Sequence, residues 1–253
     1  MSAIQGVLLD LSGVLYVGEQ EVPGAVEAVE RLRASGLPLR YLTNTTRSTR
    51  ARVQQKLADL GFPIEADEIF TAPRAVRAHL RSQGLRPLLL IHPDLEPEFS
   101  DLPRERPDAV VLGDAGEAFD YAALNGAFRV LMEGAPLIAM GDNRYFREAE
   151  GLSLDVGPFV RALEYAAGCE ARVLGKPAAG FFESAVSELG CAPEACVMIG
   201  DDARSDVEGA LAAGLQGILV RTGKYRPGDE DGIRLPGASI EDDIGAAVDR
   251  VLG

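Results

Sequence analysis

One pattern constrains this chain more than any other: an apolar strand-like run, a turn rich in Gly, Asp or Asn, and an amphipathic helical stretch, repeated along its length. That alternation is the mark of an α/β protein built on parallel strands. Val7 to Leu9, Leu39 to Leu42 and Ile69 to Thr71 read as strands. Between them lie helices at Ala25 to Arg33, where Val26, Val29 and Leu32 share a face, and at Ser48 to Leu60, capped by Ser48 and ended by Gly61. A middle set has strands at Leu88 to Ile91, Ala109 to Leu112 and Leu137 to Met140, and helices at Val76 to Leu80, Tyr121 to Met132 and Phe159 to Ala167. It is expected to close as its own small sheet, with Pro93 to Pro107 as a long loop. The last set runs through Val173 and Leu174, Phe182 to Leu189, Val197 to Ile199, Val207 to Ala213 and Ile218 to Val220, and ends in a helix from Ile240 to Leu252.

Charge and cysteine usage narrow the function classes. With 25 basic and 39 acidic residues the formal net charge is −14, so a surface that neutralises nucleic-acid or lipid phosphates is not expected, and phosphate chemistry must be local. No apolar run approaches a membrane span of about 20 residues, and Val7 to Leu9 is too short for a signal-peptide core of about 7 to 15 residues. Neither nucleic acid nor membrane is an expected partner. Cys169, Cys191 and Cys196 are an odd count without metal-type spacing, and with His79 and His92 alone beside them they assemble no convincing zinc cluster. The expected compartment is a reducing cytoplasm, and structural roles are expected for both histidines.

Open parallel sheets place ligands beyond the carboxyl ends of their strands, so reactive residues should stand just after the apolar runs. Asp10-Leu11-Ser12-Gly13 ends the first run; Asp10 and Ser12 point to one side, and Gly13 permits a sharp turn. A carboxylate there can attack phosphorus, hold a hard cation, or simply cap a turn. Thr43-Asn44-Thr45-Thr46 ends the second run with hydroxyl, amide and backbone N–H groups, which suit a neutral phosphate cradle and equally suit an ordinary turn. Gly-Asp follows an apolar run three times, at Gly113-Asp114, Gly141-Asp142 and Gly200-Asp201. The third differs by its doubled acid, Asp201-Asp202, with Asp206 following, and such crowded carboxylates suit a shared cation, or else form a solvated acidic face. Lys176, in Gly175-Lys176-Pro177, is a cation placed to balance a nucleophile and transferring phosphoryl oxygens, or else a surface lysine.

In this order, Asp10-Leu11-Ser12-Gly13, Thr43-Asn44, Gly175-Lys176-Pro177 and Gly200-Asp201-Asp202 with Asp206 resemble the four motifs of the haloacid dehalogenase superfamily, and the long insert resembles the α/β cap of its subfamily IIA. The resemblance implies a Rossmann-like core with a parallel sheet, residues 1–73 and 171–253, and an inserted smaller α/β cap, residues 74–170. It implies a Mg2+-dependent phosphatase acting through an aspartyl phosphate on small phosphorylated substrates. Asp10 would be nucleophile and metal ligand, with Asp201 and the backbone carbonyl of Ser12 completing the protein's ligands. Thr43, Asn44 and Lys176 would hold the phosphoryl group, and Asp202 and Asp206 would orient the site from behind. Homodimerisation through the cap is also implied, and the apolar content of Tyr121 to Met132 permits it. Substrate identity is expected to lie in the cap, with Asn143, Arg144, Tyr145 and the loop Leu154 to Phe159 as candidates that equally suit surface or packing roles; the Arg221 to Arg226 loop reads either as a solvated turn or as a loop close to phosphate.

Ser12 departs from the superfamily's commoner pattern, in which a second aspartate protonates the leaving group; one branch carries serine there. A serine hydroxyl cannot act as an acid near neutral pH, and a lost general acid forfeits about 100-fold to 10,000-fold in rate. Two expectations follow. One is a preference for labile bonds, in phosphohistidine, phospholysine, pyrophosphate or activated esters; the other is a regulatory or binding protein that retains the fold and turns over poorly.

Overall fold

The computed structural model describes residues 4–148 and 151–253. In chain order it contains β1 (Gly6–Asp10), β2 (Tyr16–Val17), β3 (Gln20–Glu21), α1 (Ala25–Ala34), β4 (Leu39–Thr43), α2 (Arg50–Asp59), β5 (Ile69–Thr71), α3 (Ala72–Gln83), β6 (Pro87–Leu90), β7 (Ala109–Leu112) and α4 (Tyr121–Met132). There follow β8 (Leu137–Ala139), β9 (Tyr145–Glu148), β10 (Gly151–Leu154), α5 (Val156–Ala167), β11 (Arg172–Val173), α6 (Ala179–Ser187), β12 (Cys196–Gly200), α7 (Gly209–Ala212), β13 (Gln216–Val220), β14 (Ala238–Glu241) and α8 (Ile244–Leu252). These elements divide into two compact units, residues 1–43, 50–70 and 176–253 in the first and residues 44–49 and 71–175 in the second. No helix among the described residues is long and apolar enough to cross a membrane.

The first unit is a six-stranded sheet in the order β14-β13-β12-β1-β4-β5. Strand β1 pairs in parallel with both β12 and β4, and every residue of β1 and β12 is buried, as expected for central strands covered on both faces. Helix α1 buries Ala25, Ala28, Val29 and Leu32, helix α8 buries Ile244, Ala247 and Val248, and both join one core with Val7, Leu9, Val197 and Ile218. Because β1 and β12 run in the same direction, Asp10 and Asp201 emerge from the same edge of the sheet.

The second unit holds a smaller sheet, β11-β8-β7-β6, with all three pairings parallel. Its core joins Val110, Leu112 and Ala139 to Ala127 and Leu131 of α4 and Val160 and Leu163 of α5. Asp120 and Asp155 cap α4 and α5 by accepting from Ala123 N at 2.7 Å and Val156 N at 2.6 Å.

Several expectations are corrected. Arg172–Val173 pairs with Leu137–Ala139, so the strand expected to begin the last set belongs to the second unit. The 93–107 segment opens with a 3-10 helix, Pro93–Phe99, because Leu95 and Phe99 both bury completely. Helix α2 begins at Arg50, so Thr49 rather than Ser48 precedes its first turn. The last helix starts at Ile244, capped by Asp243 accepting from Ala246 N at 2.9 Å; Ile240 instead lies in β14, whose parallel pairing with β13 outweighs local helical character.

Candidate active site

Asp10 is the last residue of β1 and is 6% exposed. Beyond it the chain turns at once: Leu15 N donates to Leu11 O at 2.9 Å and Gly13 N to Tyr16 O at 2.7 Å. The turn leaves Ser12 exposed and puts Gly13 at φ 100°, where a side chain would be strained and its Cβ would collide with the Asp201 carboxylate. Glycine at position 13 is therefore required by the approach of β12's end to β1's end. Thr43 closes β4 and is buried; Asn44 follows it directly and falls within the second unit.

Asp201 leaves β12 and is 1% exposed. Its Oδ2 accepts from Lys224 N at 2.6 Å, whereas its Oδ1 is buried without a hydrogen-bond partner. The loop that supplies Lys224 N also ties Thr222 Oγ1 to Gly13 O at 2.5 Å, and a Cβ at Gly223 would strike Asp201. Of the two readings of the Arg221 to Arg226 loop, the one that sets it at the site holds: its backbone walls Asp201, a role that side-chain identity alone does not disclose.

After Asp201 the chain makes one turn of π-helix, Ala203–Glu208. Asp202 caps it, accepting from Arg204 N at 3.0 Å and Ser205 N at 2.8 Å. Asp206 points inward at 1% exposure, and Gly200 gives it room, since a Cβ there would overlap Asp206. Lys176, 4% exposed and joined to Pro177 by a cis peptide bond, donates from Nζ to Asp10 Oδ1 and, at 2.6 Å, to Asp206 Oδ1. The surface alternative for Lys176 is ruled out.

Asp10, Asp201 and Asp206 each offer a carboxylate oxygen within 4.8 Å of the others. Burial pushes Asp201 up to about 6, with the nearby Asp206 adding to the shift. Burial also raises Asp10, against the pull of Lys176. For Lys176, burial opposes the charge, but Asp10 and Asp206 outweigh it and keep the ammonium protonated well above neutral pH. One ammonium cannot neutralise three buried carboxylates. An additional hard cation fits this donor set, because it would satisfy the orphaned Asp201 Oδ1 and the residual negative charge together.

The two other Gly-Asp pairs are structural. Asp114 accepts from Arg47 Nε at 2.5 Å and from Gly116 N at 3.0 Å, and Arg47 lies 4.5 Å over the Phe146 ring. Asp142 accepts from Arg161 Nη2 at 2.5 Å. His92 holds a turn by accepting from Asp94 N at 3.2 Å. Among the second unit's substrate candidates, Tyr145 and Leu154 are exposed, while Phe159 stacks on Phe119 at 3.8 Å between ring centroids and is a packing residue.

Family profiles match this chain in two stretches, a haloacid dehalogenase-like hydrolase profile over residues 7–102 and a HAD-hydrolase-like profile over residues 173–247. The chain is 45% identical over 258 residues to the phospholysine phosphohistidine inorganic pyrophosphate phosphatase of Danio rerio, covering 100% of this chain and 96% of that protein. It is 46% identical over 250 residues to haloacid dehalogenase-like hydrolase domain-containing protein 2 of Mus musculus, covering 99% and 96%. Among solved structures it resembles the glycerol phosphate phosphatase of Mycobacterium tuberculosis in complex with magnesium, with TM-score 0.82 and 28% identity over 96% of this chain and 76% of that one. Near-complete coverage at such identity, joined to the buried cluster of Asp10, Lys176, Asp201 and Asp206, has one reading: the chain belongs to the haloacid dehalogenase-like hydrolases and is a phosphatase of that family.

Proposed function

We propose that this protein hydrolyses labile phosphoryl bonds, P–N bonds of phosphoramidates or the P–O–P bond of pyrophosphate, through an aspartyl phosphate on Asp10. The observation that carries this reading is the buried Lys176 ammonium shared by Asp10 and Asp206, beside an Asp201 oxygen that lacks a partner. Asp10, Asp201 and the backbone carbonyl of Ser12 are the proposed ligands of Mg2+, which supplies positive charge that screens carboxylate from phosphate. The Asp10 carboxylate attacks phosphorus, the P–N or P–O bond to the leaving group breaks, and water then hydrolyses the acyl phosphate to restore Asp10. Lys176, with Thr43 and Asn44, holds phosphoryl oxygens, and Asp206 fixes the ammonium's position.

Ser12 confers the preference. With no carboxylic acid at that position, a leaving group must depart with its own proton or as a weak base. Nitrogen leaving groups arrive protonated; alkoxides do not. The relative named for phospholysine, phosphohistidine and pyrophosphate supports this substrate class. The second unit is the proposed cap, residence in a reducing cytoplasm belongs to the same reading, and so does self-association through the exposed Tyr121, Met132 and Tyr165.

The test is phosphate release by the purified full chain with Mg2+ from phosphohistidine, phospholysine, pyrophosphate, 4-nitrophenyl phosphate and glycerol phosphate. The proposal expects kcat/KM for at least one P–N or P–O–P substrate to exceed that for glycerol phosphate by about 100-fold, the size of a missing acid. Faster hydrolysis of glycerol phosphate overturns it. Absence of turnover on every substrate, with no beryllofluoride adduct on Asp10, points instead to the binding protein.

A further inference from the structure

Two of the three cysteines lie together at the amino-terminal edge of the first unit's sheet, away from the carboxyl ends that carry the acids. Gly6 of β1 is the register partner of Cys196 of β12, and Gln5 N donates to Ala195 O at 2.7 Å, so the start of β12 is held flat against the start of β1. Gly6 has no side chain, and the position its Cβ would take lies 3.2 Å from Cys196 Sγ and 3.4 Å from Cys191 Sγ. The two thiols thus converge on the space above one glycine and interact with each other there. They are joined by a tight connection, the 3-10 turn Pro193–Ala195, which brings Cys191 back over β1.

Their exposures differ in a way that gives them separate roles. Cys191 is half-buried, its thiol donating to Gln5 O at 3.3 Å and to Leu189 O at 3.5 Å, whereas Cys196 is fully buried. An oxidant from solvent meets the half-buried Cys191 before the fully buried Cys196. Cys169 belongs to the second unit.

We infer that Cys191 and Cys196 form a peroxide-responsive thiol pair, a covalent modification site separate from the phosphatase chemistry. The Cys191 sulfur attacks a hydroperoxide oxygen, an S–O bond forms as the O–O bond breaks, and one water leaves, giving a sulfenic acid. The Cys196 sulfur then attacks Cys191, an S–S bond forms as the S–O bond breaks, and a second water leaves. The thiol pair loses two electrons and two protons and hydrogen peroxide becomes two waters, so no further reactant is needed. Burial pushes the Cys196 thiol up to about 12 and makes it a poor nucleophile in free solution, but its placement against Cys191 supplies a high effective concentration. The product pins the amino end of β12 to the turn before it.

The sequence makes the experiment direct. Trypsin places Cys191 and Cys196 in a single peptide, residues 173–204, because the bond after Lys176 precedes proline, while Cys169 falls in residues 162–172. The full chain is treated with one equivalent of hydrogen peroxide, blocked with N-ethylmaleimide, digested and weighed. The expected result is peptide 173–204 lighter by two hydrogens and unalkylated, restored by dithiothreitol, with peptide 162–172 alkylated. Cys191→Ser, at a half-buried position, should abolish that product. Cys196→Ala should instead accumulate a dimedone-reactive Cys191, at a level at least ~10-fold above wild type. Full alkylation of both cysteines after peroxide, sulfinic acid on Cys191 beside a free Cys196 in the wild type, or a disulfide-linked dimer through Cys191 would each overturn the inference.

Discussion

Lys176 Nζ donates to Asp206 Oδ1 at 2.6 Å, and the same ammonium reaches Asp10 at the end of β1. A carboxylate at the end of β1 and another in the π-helical turn after β12 therefore share a single buried cation, which fixes its position between them.

Removing that cation should be costly in two separable ways. Lys176→Met is expected to lower kcat by about 100-fold to 1,000-fold, the loss typical of one preorganised electrostatic group at a transition state. It should also destabilise the fold by about 3–5 kcal/mol, because it leaves buried acids without their partner. Phosphate release and urea unfolding measure the two effects. Unchanged stability would show that Asp10 and Asp206 simply take up protons.

Metal removal distinguishes the paired acids at positions 201 and 202. EDTA should abolish turnover and Mg2+ restore it, and Mg2+ should raise the thermal midpoint of the wild type. Asp201→Asn is expected to lose that rise. Asp202→Asn should keep it, because Asp202 caps the π-turn through Arg204 N and Ser205 N and leaves the carboxylate cluster intact.

Restoring an acid should broaden the substrate range. Ser12→Asp is expected to raise kcat/KM for glycerol phosphate by ~10-fold or more, within the span that general acids contribute, and to change phosphohistidine hydrolysis far less. Equal gains on both substrates would dissociate Ser12 from leaving-group protonation.

Gly13→Ala should weaken Mg2+ activation without unfolding the chain. A methyl group there meets the Asp201 carboxylate and forces it aside, in a backbone conformation that disfavours alanine. The Mg2+ concentration giving half-maximal activity is the measurement, and an unchanged value would refute the steric argument.

An acid limb should be traceable to Asp101. Its hydrogen bonds to Arg77, Nε at 3.0 Å, and to Arg81 hold the carboxyl down to about 2. A folded-state value below the unfolded one means stabilisation that is complete above about 4 and lost as pH falls toward 2. Asp101→Asn should therefore lower the thermal midpoint at pH 7, and the difference from wild type should vanish near pH 2. A pH-independent difference would assign the effect to packing.

The alternation of apolar runs and turns determines the α/β class, most strands to within a residue or two, and the strand-end positions of Asp10, Thr43 and Asp201. Those are local properties, set by side-chain period and by backbone preference at glycine and acidic turns. Ala238–Glu241 and the sheet to which the strand at Val173 belongs were not legible in the same way, since short strands at sheet edges owe their form and place to the neighbour they pair with. The doubled acid already marked Gly200-Asp201 among the three Gly-Asp pairs, but the tertiary structure alone decided that Asp206 rather than Asp202 shares Lys176 and that the 221–226 loop seals Asp201. Each depends on what stands opposite across 30 or more residues or on another strand, and the energy of a buried charge is set by those partners, not by its own sequence neighbours.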